Sequence, residues 1–167
     1  EGGQSKSWGN RNPTDTHFYV DDLGTTLNES GSEYVAYLWA HNEGDGNFGP
    51  DGDKDIIKCG TYTGNGTADH EVYIGFEPQW IMIKRVDSAD NWCIVDNMRG
   101  FTTDGSIEEL RANTPGSESA KNTKVGVLSD GIKFGDADGQ YNTNNGVYIY
   151  VAIRRGPMAI PTDATDV

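Results

Sequence analysis

The chain has no run of eighteen apolar residues, so no segment of it is long and greasy enough to cross a bilayer as a helix. Basic residues are scarce as well: Lys and Arg number 13 against 26 Asp and Glu, giving a formal net charge of −13 in 167 residues. A surface of that sign repels phosphate backbones and anionic headgroups, which argues against nucleic acid as a partner and against membrane insertion. It suits an extracellular protein kept soluble in salty medium, where long-range repulsion is screened. Cysteine is nearly absent. Cys59 and Cys93 each sit inside an apolar run rather than in a CxxC pair, so metal or redox chemistry has little support. They read either as buried free thiols or as a disulfide between two strands, which needs Cα atoms roughly 4.4–6.8 Å apart.

Catalytic signatures are missing too. His17, His41 and His70 are scattered without zinc-binding spacing, no serine occupies a GxSxG elbow, and no glycine-rich phosphate loop precedes a helix. Glu71, Glu77, Asp96, Glu108 and Glu109 are available as glycosidase carboxyls but belong to no recognisable signature, so a glycan hydrolase ranks last among the readings. The chain is read as not being an enzyme.

What the sequence does hold is glycine (22), aromatic residues (10%) and alternating apolar runs, against only 6 prolines. That mixture suits short strands joined by tight turns. Strands are expected over 33–40, 55–62, 71–74, 79–85, 91–96 and 147–153, the last introduced by an Asn-Gly pair. Trp80-Ile81-Met82-Ile83 is apolar on both faces and belongs mid-sheet. Trp39, Trp80 and Trp92 lie in strand runs and are expected in the core. One short helix over 105–111 is expected, with Ser106 as N-cap and Thr114-Pro115-Gly116 as its stop. The fold class is all-β: an antiparallel β-sandwich, jelly-roll or lectin-like, with at most that one helix.

A weak repeat runs through the chain without a gap. At an offset of 114, Phe18 falls on Ile132, Val20 on Phe134, Asn28 on Asn142, Tyr34 on Tyr148 and Val35 on Ile149. Chance likeness between two hairpins is the competing reading. Taken as real, it makes 1–42 the closing hairpin of a preceding repeat, or an N-terminal arm packed on the next domain. Residues 43–156 are then the β-sandwich domain, and 157–167, with Pro157 and Pro161, an extended arm or linker. The opening Glu1-Gly2-Gly3-Gln4 is read as the start of a processed chain or of a piece of a longer one.

Several segments stand in a fixed order: Tyr34 to His41, Phe48 to Asp53, Ile56 to Gly66, Gly75 to Lys84, Asp96 to Gly100, and Tyr148 to Pro157. Together they resemble a domain of large virion and tail-fibre proteins of marine bacteriophages, especially those infecting cyanobacteria, where it accompanies concanavalin-like or laminin-G-like lectin domains. The resemblance spans most of 33–160. It implies a β-sandwich in a fibre, appendage or capsid-surface protein, assembling with copies of itself and other virion proteins and attaching to a host surface. It implies no catalytic residue. A carbohydrate-binding adhesin assisted by calcium is the alternative.

For calcium, the acidic loop from Glu43 to Asp55 offers Asp45, Asp51, Asp53 and Asp55 with glycines between, enough carboxylates to curl around one ion. Lys54 intrudes, and the bidentate Glu of an EF-hand loop is missing, so a solvated acidic turn is the competing reading. Trp8, in a polar stretch, is the candidate exposed aromatic for a sugar ring or a neighbouring subunit. Arg99 is read as structural, forking onto a carboxylate such as Asp96.

Overall fold

The structure, a computed structural model, describes residues 14, 16–20, 28–39, 55–101 and 106–156. The chain divides into two compact units, Glu1–Leu38 and Trp39–Val167. The boundaries expected at 42/43 and 156/157 lie outside the described residues.

The second unit is built of strands, and none of its described residues is helical. In chain order they are β1 (Ile57–Thr63), β2 (His70–Tyr73), β3 (Pro78–Arg85), β4 (Trp92–Asp96), β5 (Ile107–Arg111), β6 (Ser119–Lys121), β7 (Val125–Leu128), β8 (Gly131–Phe134) and β9 (Val147–Arg154). They form a six-stranded sheet, β1-β9-β3-β4-β5-β6, and a three-stranded sheet, β2-β8-β7. Every pairing is antiparallel. The two sheets share one core, the all-β sandwich that the alternating runs imply. The larger sheet contributes Tyr62, Ile81, Ile83, Cys93, Val95, Ile107, Tyr148, Tyr150 and Ala152; the smaller contributes Val72, Val125, Ile132 and Phe134.

β9 is the spine. It pairs with β1 along one side and β3 along the other, so Tyr148, Tyr150 and Ala152 bury inward while Ile149, Val151 and Ile153 face outward. Tyr148 stacks on Tyr62 across the strand pair, with centroids 4.8 Å apart and rings nearly parallel. Such a pair adds about 0.5–1.5 kcal/mol beyond the area it buries. Pro78 opens β3, where a missing N–H is tolerated, and the register slips by one residue before Trp80.

The tight β7–β8 hairpin brings Gly131 against β2. A Cβ there would press into the carbonyl of Val72, well inside contact distance, where backbone rather than a pliable side chain must yield. Gly131→Ala is expected to cost about 2–3 kcal/mol by forcing β2 and β8 apart, read as a lowered denaturant midpoint. An unchanged midpoint would mean that the hairpin gives way freely.

Three expectations are corrected. Residues 107–111 form strand β5, not a helix: Ile107 and Glu109 point inward, and β4 and β6 flank the strand. Glu33 to Trp39 is no strand, and Val35 and Leu38 lie exposed, because β-propensity is realised only against a pleated surface. The three strand-run tryptophans are not core residues: Trp39 is exposed, and Trp80 and Trp92 are half-buried on the outward side of the larger sheet.

Candidate functional site

Two places concentrate unusual chemistry: a buried polar cluster between the sheets, and the outward face of the six-stranded sheet. The cluster is built by β4, β5 and the β8–β9 loop. Period-2 alternation in β5 turns Glu109 inward, fully buried. One carboxylate oxygen accepts from the Nε and Nη2 of Arg111, each at 2.7 Å, and the other accepts from the Tyr141 hydroxyl at 2.6 Å. Gln140 donates to the Cys93 sulfur at 3.2 Å. Burial, reinforced by the Glu109 charge, pushes the Cys93 thiol up to about 12. Tyr141 is shifted upward for the same reason, with burial first and the Cys93 and Glu109 charges after it.

Beside this cluster, Asn142 is fully buried and uses its whole amide. Its Nδ2 donates to the carbonyls of Thr67 and Asp136, both at 2.8 Å, and its Oδ1 accepts from the Asn65 N–H at 3.0 Å. His70 Nδ1 lies 2.7 Å from the same oxygen, which fixes the Nδ1–H tautomer because a carbonyl only accepts. The loop around it is self-supporting. Asp136 accepts from Asp138 N–H, and Asp138 accepts from Gln140 N–H and pairs with Lys121.

Among the described residues, no buried side-chain nitrogen or oxygen lacks a partner. Within the cluster each group is thus engaged: Tyr141 donates to Glu109, Glu109 accepts from Arg111, and burial holds the Cys93 thiol protonated. Three of the five carboxylates weighed for hydrolysis are likewise paired: Glu77 with Arg155, Asp96 with Arg99, Glu109 with Arg111. Arg99 bridges Asp96 to Glu118, and Asp96 Oδ1 also accepts from the N–H groups of Met98 and Arg99, pinning the loop after β4.

Of the candidate calcium ligands, Asp55 is half-buried just ahead of β1, whereas Asp45, Asp51 and Asp53 lie outside the described residues, as does Trp8. Among the described residues, no group of three or more His, Cys, Asp or Glu is placed to hold a metal. The two cysteines form no disulfide. Cys59 faces outward on β1 and Cys93 inward on β4, with β9 and β3 between them, so the disulfide reading is overturned.

The second place is a row. Across five strands the register aligns Cys59, Val151, Met82, Ile94 and Leu110 on the outward face of the larger sheet. Trp80, Trp92, Ile57 and Ile153 lie on the same face. All nine are only half-buried. Sequence reasoning saw that β3 is apolar on both faces but not that this outer band spans the sheet. It singles out Glu109 only as an available carboxyl, not as a buried partner of Tyr141, and Tyr141 not at all; the available signal is the alternation Ile107-Glu108-Glu109-Leu110-Arg111.

A family profile described as a domain of unknown function (DUF7483) matches residues 1–157. No curated protein and no solved structure matches the chain.

Proposed function

Because this chain belongs to the DUF7483 family, whose description assigns no activity, we propose its role from its surfaces: a non-catalytic structural module of a bacteriophage virion or tail fibre. It joins copies of itself and other virion proteins outside the cell and helps present the assembly to a host surface. The observation that supports this most is the outward apolar row of Cys59, Val151, Met82, Ile94 and Leu110. Contiguous half-exposed apolar surface on a strongly charged protein is the usual mark of a contact face. The likeness of six ordered segments to phage virion domains gives the setting.

Electrostatics sets the condition. Copies that each carry −13 repel one another at low ionic strength, and the Debye length shrinks from about 30 Å at 0.01 M salt to about 8 Å at 0.15 M. Sedimentation velocity is therefore expected to show self-association that strengthens as salt is raised. Met82→Glu combined with Val151→Glu is expected to weaken it at least about tenfold while leaving the circular dichroism unchanged, since both positions face outward. A wild-type chain that stays monomeric at high salt, or an association indifferent to the double substitution, defeats the reading.

The alternative is a calcium-assisted, carbohydrate-binding adhesin, favoured by the half-exposed indoles of Trp80 and Trp92 on this same face. Glycan-array binding that disappears with chelator or with Asp53→Ala would move the assignment to that reading.

A further inference from the structure

The offset of 114 residues relates more than side-chain character: it relates local conformation. Gly31 has φ of 83°, and Asn145, its counterpart, has φ of 59°. Ser32 donates its N–H to the Glu29 carbonyl at 3.2 Å; the counterpart Gly146 donates to the Thr143 carbonyl at 2.9 Å. The Tyr34 hydroxyl accepts from the Glu29 N–H at 2.8 Å, and the Tyr148 hydroxyl from the Thr143 N–H at 2.9 Å. The turn residues themselves differ, Glu29-Ser30-Gly31-Ser32 against Thr143-Asn144-Asn145-Gly146. A shared turn sequence therefore does not explain the match. A left-handed residue, a turn bond and a tyrosine reaching back five residues coincide in one gapless register.

We propose that residues 16–20 and 28–39 are the β8 and β9 of a second copy of this fold, carried ahead of the first on the same polypeptide. This stands whether or not the outward apolar row docks other chains.

The burial contrast says what covers them. In β9, Tyr148 and Ala152 are fully buried, and Ile149 is half-buried between β1 and β3. At the matching places Tyr34 is 47%, Leu38 76% and Val35 80% exposed. Ile132 and Phe134 of β8 are fully buried, whereas Phe18 and Val20 are more than two-fifths exposed. The segment thus keeps the turn and the alternation of a spine strand while its apolar side chains face solvent. The occupant such a strand fits is a pair of strands equivalent to β1 and β3. A second molecule of this chain does not offer them, because its own β9 fills that slot along both sides. A copy of the fold that lacks its own closing hairpin does, and the hairpin's position ahead of β1 places that copy upstream on the same polypeptide, as in a tandem array.

The test compares the native polypeptide, isolated intact, with the chain beginning at Glu1. N-terminal sequencing and intact mass are expected to show, directly ahead of residue 1, a stretch alternating as β1 to β5 do; a polypeptide that starts at Glu1, or an unrelated preceding stretch, overturns the proposal. Hydrogen exchange at residues 33–39 is expected to be at least about 100-fold slower in the native polypeptide than in the shorter chain, and equal exchange overturns it. Leu38→Glu supplies a reading independent of that comparison. It is expected to leave the melting of the chain that begins at Glu1 unchanged and to abolish one of the unfolding transitions of the native polypeptide. A native polypeptide that melts as before refutes the assignment.

Discussion

Asn142→Ala is expected to be among the most damaging single changes in the molecule, lowering stability by about 4 kcal/mol. Four partners lose their bond at once: the carbonyls of Thr67 and Asp136, the N–H of Asn65 and the Nδ1–H of His70. An orphaned buried group costs about 1–3 kcal/mol, and Asn65 and Thr67 are exposed enough for water to recover part of that. For a domain of this size the melting temperature should fall by roughly 10–15 °C. Asn142→Asp separates the roles of the two ends of the amide. It keeps an acceptor for Asn65 and His70 but turns a carboxylate oxygen toward the carbonyls of Thr67 and Asp136, so it should stay destabilised at neutral pH and recover toward acid as the carboxyl gains a proton to donate. An Asp variant that melts like wild type at pH 7 would show that the two carbonyl contacts contribute little.

The residues that carry the fold differ in how visible they are in sequence. β3, β4 and β9 are legible because each is a run of β-branched and aromatic residues bounded by Pro, Gly or Asn, and β3 reads as central because Ile81 and Met82 are apolar on opposite faces. β6 has no such pattern. Ser119-Ala120-Lys121 is a strand only because β5 offers backbone groups at the sheet edge, and propensity carries no trace of that. Residues 107–111 are ambiguous by construction, since Ile107 and Leu110 suit a helical face while Ile107 and Glu109 suit a strand face. The strand wins through a residue 32 positions away: Tyr141 supplies the hydrogen bond that makes burial of Glu109 affordable. The reverse error, at 33–39, has the same cause, for a strand pattern does not become a strand until neighbouring strands pair with it. The proposed contact row was hidden because it exists only in register, assembled from one residue on each of five strands.

Stability should fall steeply in alkali, and the sign follows from which state releases its protons first. The Cys93 thiol is held up to about 12 in the folded chain, whereas in the unfolded chain it ionises near its ordinary value of 9.0. A folded pKa raised above the unfolded one contributes stability that is complete below pH 9 and is lost as pH climbs toward 12. While that proton is withheld, unfolding gains about 1.4 kcal/mol per pH unit. Tyr62 and Tyr141 act in the same direction above pH 10, because burial raises both from the ordinary tyrosine value and the unfolded chain can ionise them. Cys59 and Tyr150 are raised by burial too, so the withheld protons add and the loss of stability steepens as pH rises past 10. Urea melts at half-unit steps from pH 8 to 11 check this. Cys93→Ala should lower the neutral-pH midpoint through the space it leaves and the lost contact with Gln140, yet flatten the slope between pH 9 and 10 by about one proton. An unchanged slope in that variant would mean that the thiol ionises in the folded chain as readily as in water, and that the wall of Tyr141, Gln140 and Glu109 around it admits solvent.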